Sequence, residues 1–309
     1  MQNTGQATST LSTGSRSVRR RLDLQASALM VLFCIVLGAQ QVAIKMVAED
    51  MSPLSQVALR SSLAAVLVAA LAWWQGIRLR DMRTQLGPGI LVGLGFAAEF
   101  LFVAWGLNHT LASHMSVFLY TAPVFAAVGL HLWVPGEQLT RRQWIGVALA
   151  FGGMVLAMEP DTDIDNAGDI LRGDLLGLLA GLAWAATTLV IRRSSLSEAP
   201  PVQTLCYQLT VAGLLLLPAT VLLGDFGRIQ FTGAAIASLT FQTLIISFAA
   251  LLLWFALLRR YFASQLGIFS FLSPIFGVLF GALLLGEPLT INFLAGGGML
   301  LIGLVVVTR

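Results

Sequence analysis

Three charged side chains stand within long apolar stretches of this 309-residue sequence: Lys45, Arg60 and Glu99. Glu99 is the sharpest of them, because an acid near the centre of a bilayer costs about 2.5 to 3.5 kcal/mol on insertion scales. Three readings of it stay open. It forms a structural ion pair with Arg60, which lies at similar depth in the preceding antiparallel stretch; it meets the ammonium group of a ligand; or it exchanges protons and couples them to movement of a solute. Arg60 could bind a carboxylate or pack its helix. Lys45, near the end of its stretch, can snorkel to the interface or take part in gating or carboxylate binding.

Uncharged polar and aromatic residues recur in matched places. Gln40-Gln41 and Thr187-Thr188 are polar pairs within apolar stretches, satisfied either by interhelical hydrogen bonds or by a solute. His114 and Gln265 occupy equivalent positions, followed by Phe118 and Phe269 and then Phe125 and Phe276. Such a stripe reads as packing or as a cavity wall. Pro123 and Pro274 each free a backbone carbonyl in mid-helix, which bends the helix or receives polar cargo. Tyr120, Trp105, Trp184 and Trp254 offer flat faces to apolar, aromatic or cationic groups, or anchor in lipid. Thr240, Thr243 and Ser247 share one helical face, expected to turn inward. A central cavity is therefore expected to draw on Glu99, Gln40, Gln41, Lys45, His114, Phe118, Tyr120, Trp184, Thr188, Thr243, Ser247, Gln265 and Phe269.

Other chemistry finds less support. His109, His114 and His131 lie on or beside one helix without a partner constellation, and no Gly-x-Ser-x-Gly or paired intramembrane Asp motif appears. The run Asp161 to Asp169 resembles the opening of a calcium loop, but it lacks Gly at the sixth position and has Arg172 where the bidentate Glu belongs. It reads as a solvated linker. Cys34 and Cys206 read as small apolar fillers. No metal and no cofactor is expected. Rings of carbonyls or charges, as in a channel, are not evident.

The elements that must position these residues follow from composition. The chain is 57% hydrophobic and 11% charged, against about 25% charged in an average soluble domain. Ten apolar stretches are expected to be helical, near 24–47, 53–75, 87–107, 111–134, 140–158, 173–192, 202–223, 232–258, 262–285 and 288–307. Arginines cluster at alternate ends, among them Arg19 to Arg21, Arg78, Arg80, Arg83, Arg141, Arg142, Arg192, Arg193, Arg259 and Arg260. Those ends, and both termini, are expected to be cytoplasmic. Glycines such as Gly93/Gly95, Gly177/Gly181 and Gly296 to Gly298 let backbones approach.

The chain repeats itself. Ala112-Ser113 followed by Pro123-Val124-Phe125 matches Ala263-Ser264 followed by Pro274-Ile275-Phe276; Gly136-Glu137-Gln138-Leu139-Thr140 echoes Gly286-Glu287-Pro288-Leu289-Thr290. Gln40-Gln41 before Ile44-Lys45 matches Thr187-Thr188 before Ile191-Arg192. Glu137 and Glu287 are expected to cap the helices that follow them. Halves of five helices, an odd number, must enter the membrane from opposite sides. The expected organisation is a disordered cytoplasmic tail over 1–22, a first repeat over 23–158, an acidic periplasmic linker over 159–172 and a second repeat over 173–309. Inverted repeats are a transporter's construction, with cargo bound near the midplane between them.

These paired Pro-containing helices, each followed by Gly-Glu-x-Leu-Thr and a Gly-rich final helix, resemble the drug/metabolite transporter superfamily in its EamA-type branch of ten-helix bacterial exporters. The stretch from Pro53 to Arg60 adds to the likeness, which extends from about Leu24 to Val307. The resemblance implies an all-α integral membrane protein with ten transmembrane helices as two inverted five-helix repeats. It implies export of small organic solutes, amino acids or related metabolites, across the bacterial inner membrane by alternating access. A proton-coupled exporter of lipophilic cations is the alternative. Carriers of phosphates would need several intramembrane Lys or Arg, whereas Lys45 is the only Lys in the chain; neutral or zwitterionic cargo is expected. The expected partners are that small molecule and the lipid bilayer, not nucleic acid, with the protein a monomer or weak homodimer.

Overall fold

The computed structural model describes residues 19–110, 112–157, 167–285, 289 and 291–308. Among the described residues there are helices and their connections, with no strand beyond an isolated backbone bridge between Arg20 and Tyr261. The helices are α1 (Leu24–Met46), α2 (Pro53–Trp74), α3 (Leu79–Arg83), α4 (Leu86–Gly106), α5 (Ala112–Leu119), α6 (Ala122–Trp133), α7 (Arg141–Ala157), α8 (Ala167–Arg193), α9 (Pro201–Leu222), α10 (Gly233–Phe241), α11 (Leu251–Arg260), α12 (Ala263–Phe269), α13 (Leu272–Leu285) and α14 (Ile291–Thr308). A π-helical segment, Gln242–Ala250, joins α10 to α11 in one rod.

Local chemistry sets where these helices start. Asp23 accepts the Ala26 N–H at 2.8 Å and opens α1. Ser52 accepts the Ser55 N–H at 3.2 Å, with Pro53 just inside α2 where its missing N–H is harmless. The helix α8 begins at Ala167, inside the stretch expected to be linker; Asp169 in its first turn favours the positive end of the helix dipole. The fourth and ninth apolar stretches are each broken in two, between Leu119 and Ala122 and between Phe269 and Leu272. Both breaks lie just before a proline, Pro123 or Pro274, whose ring cannot coexist with the carbonyl four residues back in a regular helix.

Among the described residues, seven stretches are long and apolar enough to cross a bilayer, including Gly233–Arg260 and Ala263–Leu284, with shorter apolar stretches at Val117–Trp133 and Ile291–Val307. The outward faces carry large apolar residues such as Val66, Leu214 and Ile302, as a lipid-facing surface does. Helices from distant parts of the chain pair off: α1 with α13, α2 with α9, α4 with α8 and α7 with α14. In the α7/α14 pair the backbones themselves touch. A methyl group at Gly153 would stand 2.5 Å from the Leu300 nitrogen and 2.6 Å from the Gly296 oxygen. Gly297 and Gly298, expected to serve the same contact, face open space.

Candidate functional site

The pairing of these helices leaves a cavity of about 280 Å³ enclosed by α1, α2, α4, α8, α9 and the rod from Gln242 to Arg260. Ile44, Pro53, Leu107 and Met115 line it at the end of the bundle where α1 passes into α2. Phe33, Trp184, Ile191 and Trp254 line it towards the opposite end. The cavity thus runs along the bundle between these two sets of residues.

Arg60 reaches this cavity from α2 and is only 3% exposed. Two glutamines hold its guanidinium. Gln40 on α1, its amide oriented with the oxygen towards the arginine, accepts from both Nη1 and Nη2. Gln242 Oε1, at the start of the π-helical segment, lies 3.4 Å from Nη1. Gln242 is itself fixed, donating to Gln56 Oε1 at 2.6 Å and to Ser238 Oγ at 3.1 Å. Gln56 in turn donates to the carbonyls of Ile44 and Met51 at 3.2 and 2.9 Å. The guanidinium carbon stands 5.4 Å from the centre of the Phe100 ring, within cation–π range. Nε of Arg60 is buried and has no hydrogen-bond partner.

Glu99 lines the same cavity from α4. The direct ion pair with Arg60 is not made: no nitrogen–oxygen contact within 4.0 Å joins them, because Gln40 and Gln242 hold the guanidinium against α1 and the π-helical segment. Each is nevertheless the other's charge neighbour. Two opposite charges therefore border one apolar chamber without neutralising each other by contact.

Below them lies an aromatic floor. Tyr120 and Trp184 meet edge to face at 5.4 Å, and Phe33 stacks on Trp254 at 5.5 Å. Trp184, Thr188 and Trp254 also roof a second, much smaller void lined by Ala122, Pro123, Ala126, Ala263 and Gly267. The two voids thus share these three residues as a wall.

At the end of the bundle where α8 and α11 finish, polar contacts tie distant segments together. Glu137, expected to cap the helix after it, instead accepts the N–H groups of Ala263 and Ser264 at 3.2 and 3.4 Å and the Ser264 hydroxyl at 3.3 Å, capping α12. Its Oε1 also lies 3.2 Å from Arg192 Nε, a charge contact outside the hydrogen-bonding direction. Arg192 donates to the Tyr261 carbonyl. Arg19 to Asp23 run alongside: the Leu22 N–H donates to Gln265 Oε1 at 2.9 Å, the Tyr261 hydroxyl to Asp23 at 2.9 Å, and Arg19 pairs with Glu198 at 3.0 Å. The Ala26 N–H and then the Tyr261 hydroxyl hold the Asp23 carboxyl below its ordinary range.

Of the residues singled out from sequence, Gln40, Gln41, Arg60, Glu99, Tyr120, Trp184, Thr187, Thr188 and Trp254 meet at the cavity. Others do not line it. Lys45 is exposed. Phe118 packs over Gly177 of α8. Thr243 and Ser247 are buried within the π-helical segment, and Thr240 is exposed and bonds back to the Ile236 carbonyl. Gln265 is drawn off to the backbone of Leu22, and the carbonyl of Phe269 accepts the Cys34 thiol. His131 accepts the Leu139 N–H. The side chain of His114, and Glu287, lie outside the described residues. Gln56, Gln208 and Gln242 were missed as parts of the site; a glutamine in an apolar helix is the signal that could have flagged them.

Two stretches of the chain, residues 24–158 and 171–309, each match the EamA-like transporter family. A probable amino-acid metabolite efflux pump of Salmonella typhimurium is 29% identical over 288 residues, covering 90% of this chain and 93% of its own length. Its Escherichia coli namesake is 26% identical over 290 residues, again covering 90% and 93%. An uncharacterized transporter of Archaeoglobus fulgidus is 25% identical over 290 residues, or 93% of this chain and 98% of its own. A solved crystal structure shares the fold with a TM-score of 0.78 at 15% identity, over 95% of this chain and 98% of that one. Matched on both sides of its middle and built of membrane-crossing helices, the chain is a multi-pass membrane transporter of the EamA-like family, in the drug/metabolite transporter superfamily.

Proposed function

We propose that the protein exports small organic solutes, foremost amino acids or related metabolites, across the bacterial inner membrane by alternating access. The observation that carries this reading is a cavity lined by segments far apart in sequence, with the Glu137 contacts tying other distant segments together at one end of the bundle, which we read as a latch. In this reading ten helical spans form two inverted five-helix repeats, with both termini on the cytoplasmic side. The double family match and the pairing of α2 with α9 and of α7 with α14, which are repeat equivalents, support it. In this reading the Glu137 latch lies at the cytoplasmic face and the cavity opens to the periplasmic face, which the arginine-rich ends support. The halves rock about the cavity, and Glu99, Gln41, Thr188 and the aromatic floor contact the cargo. The amino-acid assignment leans on the two efflux pumps named above and on the scarcity of cationic side chains in the cavity.

Counterflow of a panel of radiolabelled amino acids in proteoliposomes, with and without a proton gradient, tests the proposal. Saturable exchange of one or more amino acids is expected. Movement of lipophilic cations with no amino acid moving would replace it by the proton-coupled multidrug reading.

A further inference from the structure

Resting on the cavity as the cargo site, we infer that it is a receptor for the two charged ends of one zwitterion: Arg60 takes the carboxylate, Glu99 takes the ammonium, and Gln242 is the positioning residue that keeps the two apart. Three observations carry this. Both charges are buried and border the same chamber. Neither is neutralised by a contact with the other, and among the described residues no hydrogen bond or ion pair reaches the Glu99 carboxylate. Nε of Arg60 is a buried donor without an acceptor, so Gln40 and Gln242 do not exhaust the hydrogen-bonding capacity of the guanidinium.

The cradle explains why the charges stay apart. Left to itself, a flexible arginine facing a carboxylate in a low-dielectric cavity would close on it, since attraction grows as solvent is excluded. Gln40 and Gln242 offer the guanidinium neutral acceptors on the α1 and rod side, and the chain from Gln242 through Gln56 to the Ile44 and Met51 carbonyls leaves Gln242 little freedom to turn away. Neutral acceptors orient the cation without cancelling its charge. A cargo bearing both charges gains from both poles and carries no net charge into the chamber. A single-charge molecule satisfies one pole and leaves the other bare. The apolar walls and the Tyr120/Trp184 edge then receive an apolar side chain.

The test uses the full-length purified protein and three probes of the same shape: L-leucine, L-leucinamide, which lacks the carboxylate, and N-acetyl-L-leucine, which lacks the ammonium. Competition against radiolabelled L-leucine in a scintillation proximity assay should rank leucine at least about tenfold tighter than either analogue, the cost of one unmade charge-assisted bond. Arg60→Gln should erase the gap between leucine and leucinamide and keep that between leucine and N-acetyl-leucine; Glu99→Gln should do the reverse. Gln242→Glu, which gives Arg60 a competing carboxylate, should weaken leucine about tenfold and leave leucinamide unchanged. A merely structural role would lower all three probes together. Equal competition by the three probes on the wild-type protein, while leucine is still transported, overturns the two-pole receptor and leaves the exporter reading standing. If radiolabelled leucine neither binds nor moves while lipophilic cations do, the exporter reading falls and the receptor with it. The wild-type ranking decides the matter even where a variant fails to fold.

Discussion

Arg192 Nε stands 3.2 Å from Glu137 Oε1, and both side chains are almost fully enclosed, 1% and 3% exposed. The pair sits on the first turn of α12, whose Ala263 and Ser264 N–H groups complete the shell of the carboxylate. Breaking a buried pair by removing one partner costs about 3 to 5 kcal/mol, because the other charge is left enclosed and unmatched. Glu137→Gln should therefore weaken the latch selectively. With Cys34 and Cys206 replaced by serine, a cysteine substituted for Ala263 should react with maleimide at least about tenfold faster once Glu137→Gln is added. Glu137→Gln combined with Arg192→Gln should restore part of the protection. Unchanged labelling in the single variant would mean that the pair is scaffold and not a gate.

Trp184 separates the large cavity from the small void beneath it and meets Tyr120 edge to face. Such an aromatic pair contributes about 0.5 to 1.5 kcal/mol beyond its buried area. Trp184→Ala is expected to raise the counterflow KM for amino acids with large apolar side chains by up to about tenfold and to change that for alanine little. An equal rise for alanine would show that Trp184 supports the fold and does not contact the cargo side chain.

The α7/α14 contact is made by backbone, which cannot yield as a side-chain tip does. A Cβ at Gly303 would stand 2.5 Å from the Ala150 nitrogen and 2.7 Å from the Gly146 oxygen. Gly153→Ala and Gly303→Ala should each lower stability by about 1 to 3 kcal/mol, the usual cost of overpacking. Gly297→Ala, facing open space, should be neutral or slightly stabilising. Thermal unfolding in detergent, followed by tryptophan fluorescence, reads both. Equal melting of the Gly153→Ala and Gly297→Ala proteins would contradict the close approach.

These contacts mark how far the sequence could be read. Hydropathy reports depth along a helix, so the starts of α1 near residue 24 and of α2 near residue 53, and the presence of Arg60 and Glu99 within the apolar zone, were legible. Which way a residue faces depends on helix pairing over long sequence separations, and that is where expectation and structure part. Gln265 looked like a cavity residue until the backbone of Leu22 claimed it. Glu137 looked like a local cap, but the N-terminus of α12 offers it two free N–H groups and Arg192 offers a charge. The hold of Gln242 on Arg60 had no local signal beyond an amide in an apolar helix.

The repeat turns the latch into a statement about the opposite state. Glu137 matches Glu287, Arg192 matches Lys45, and Ala263-Ser264 matches Ala112-Ser113. Glu287 lies outside the described residues; the equivalence comes from the repeated sequence alone. If the halves are inverted, the contacts that shut one end recur at the other when the cavity faces the cytoplasm, with Glu287 meeting Lys45 at the start of α5. Lys45→Cys with Glu287→Cys, in the protein lacking Cys34 and Cys206, should then crosslink poorly in the wild-type latch background. Crosslinking should rise when Glu137→Gln frees the end that Glu137 latches, because one population grows at the expense of the other. The charge-swapped pair Lys45→Glu with Glu287→Lys should transport better than either single change, since only the pair keeps opposite charges together. Crosslinking that ignores the state of Glu137 would break the link between the two ends and with it the inverted reading of the halves.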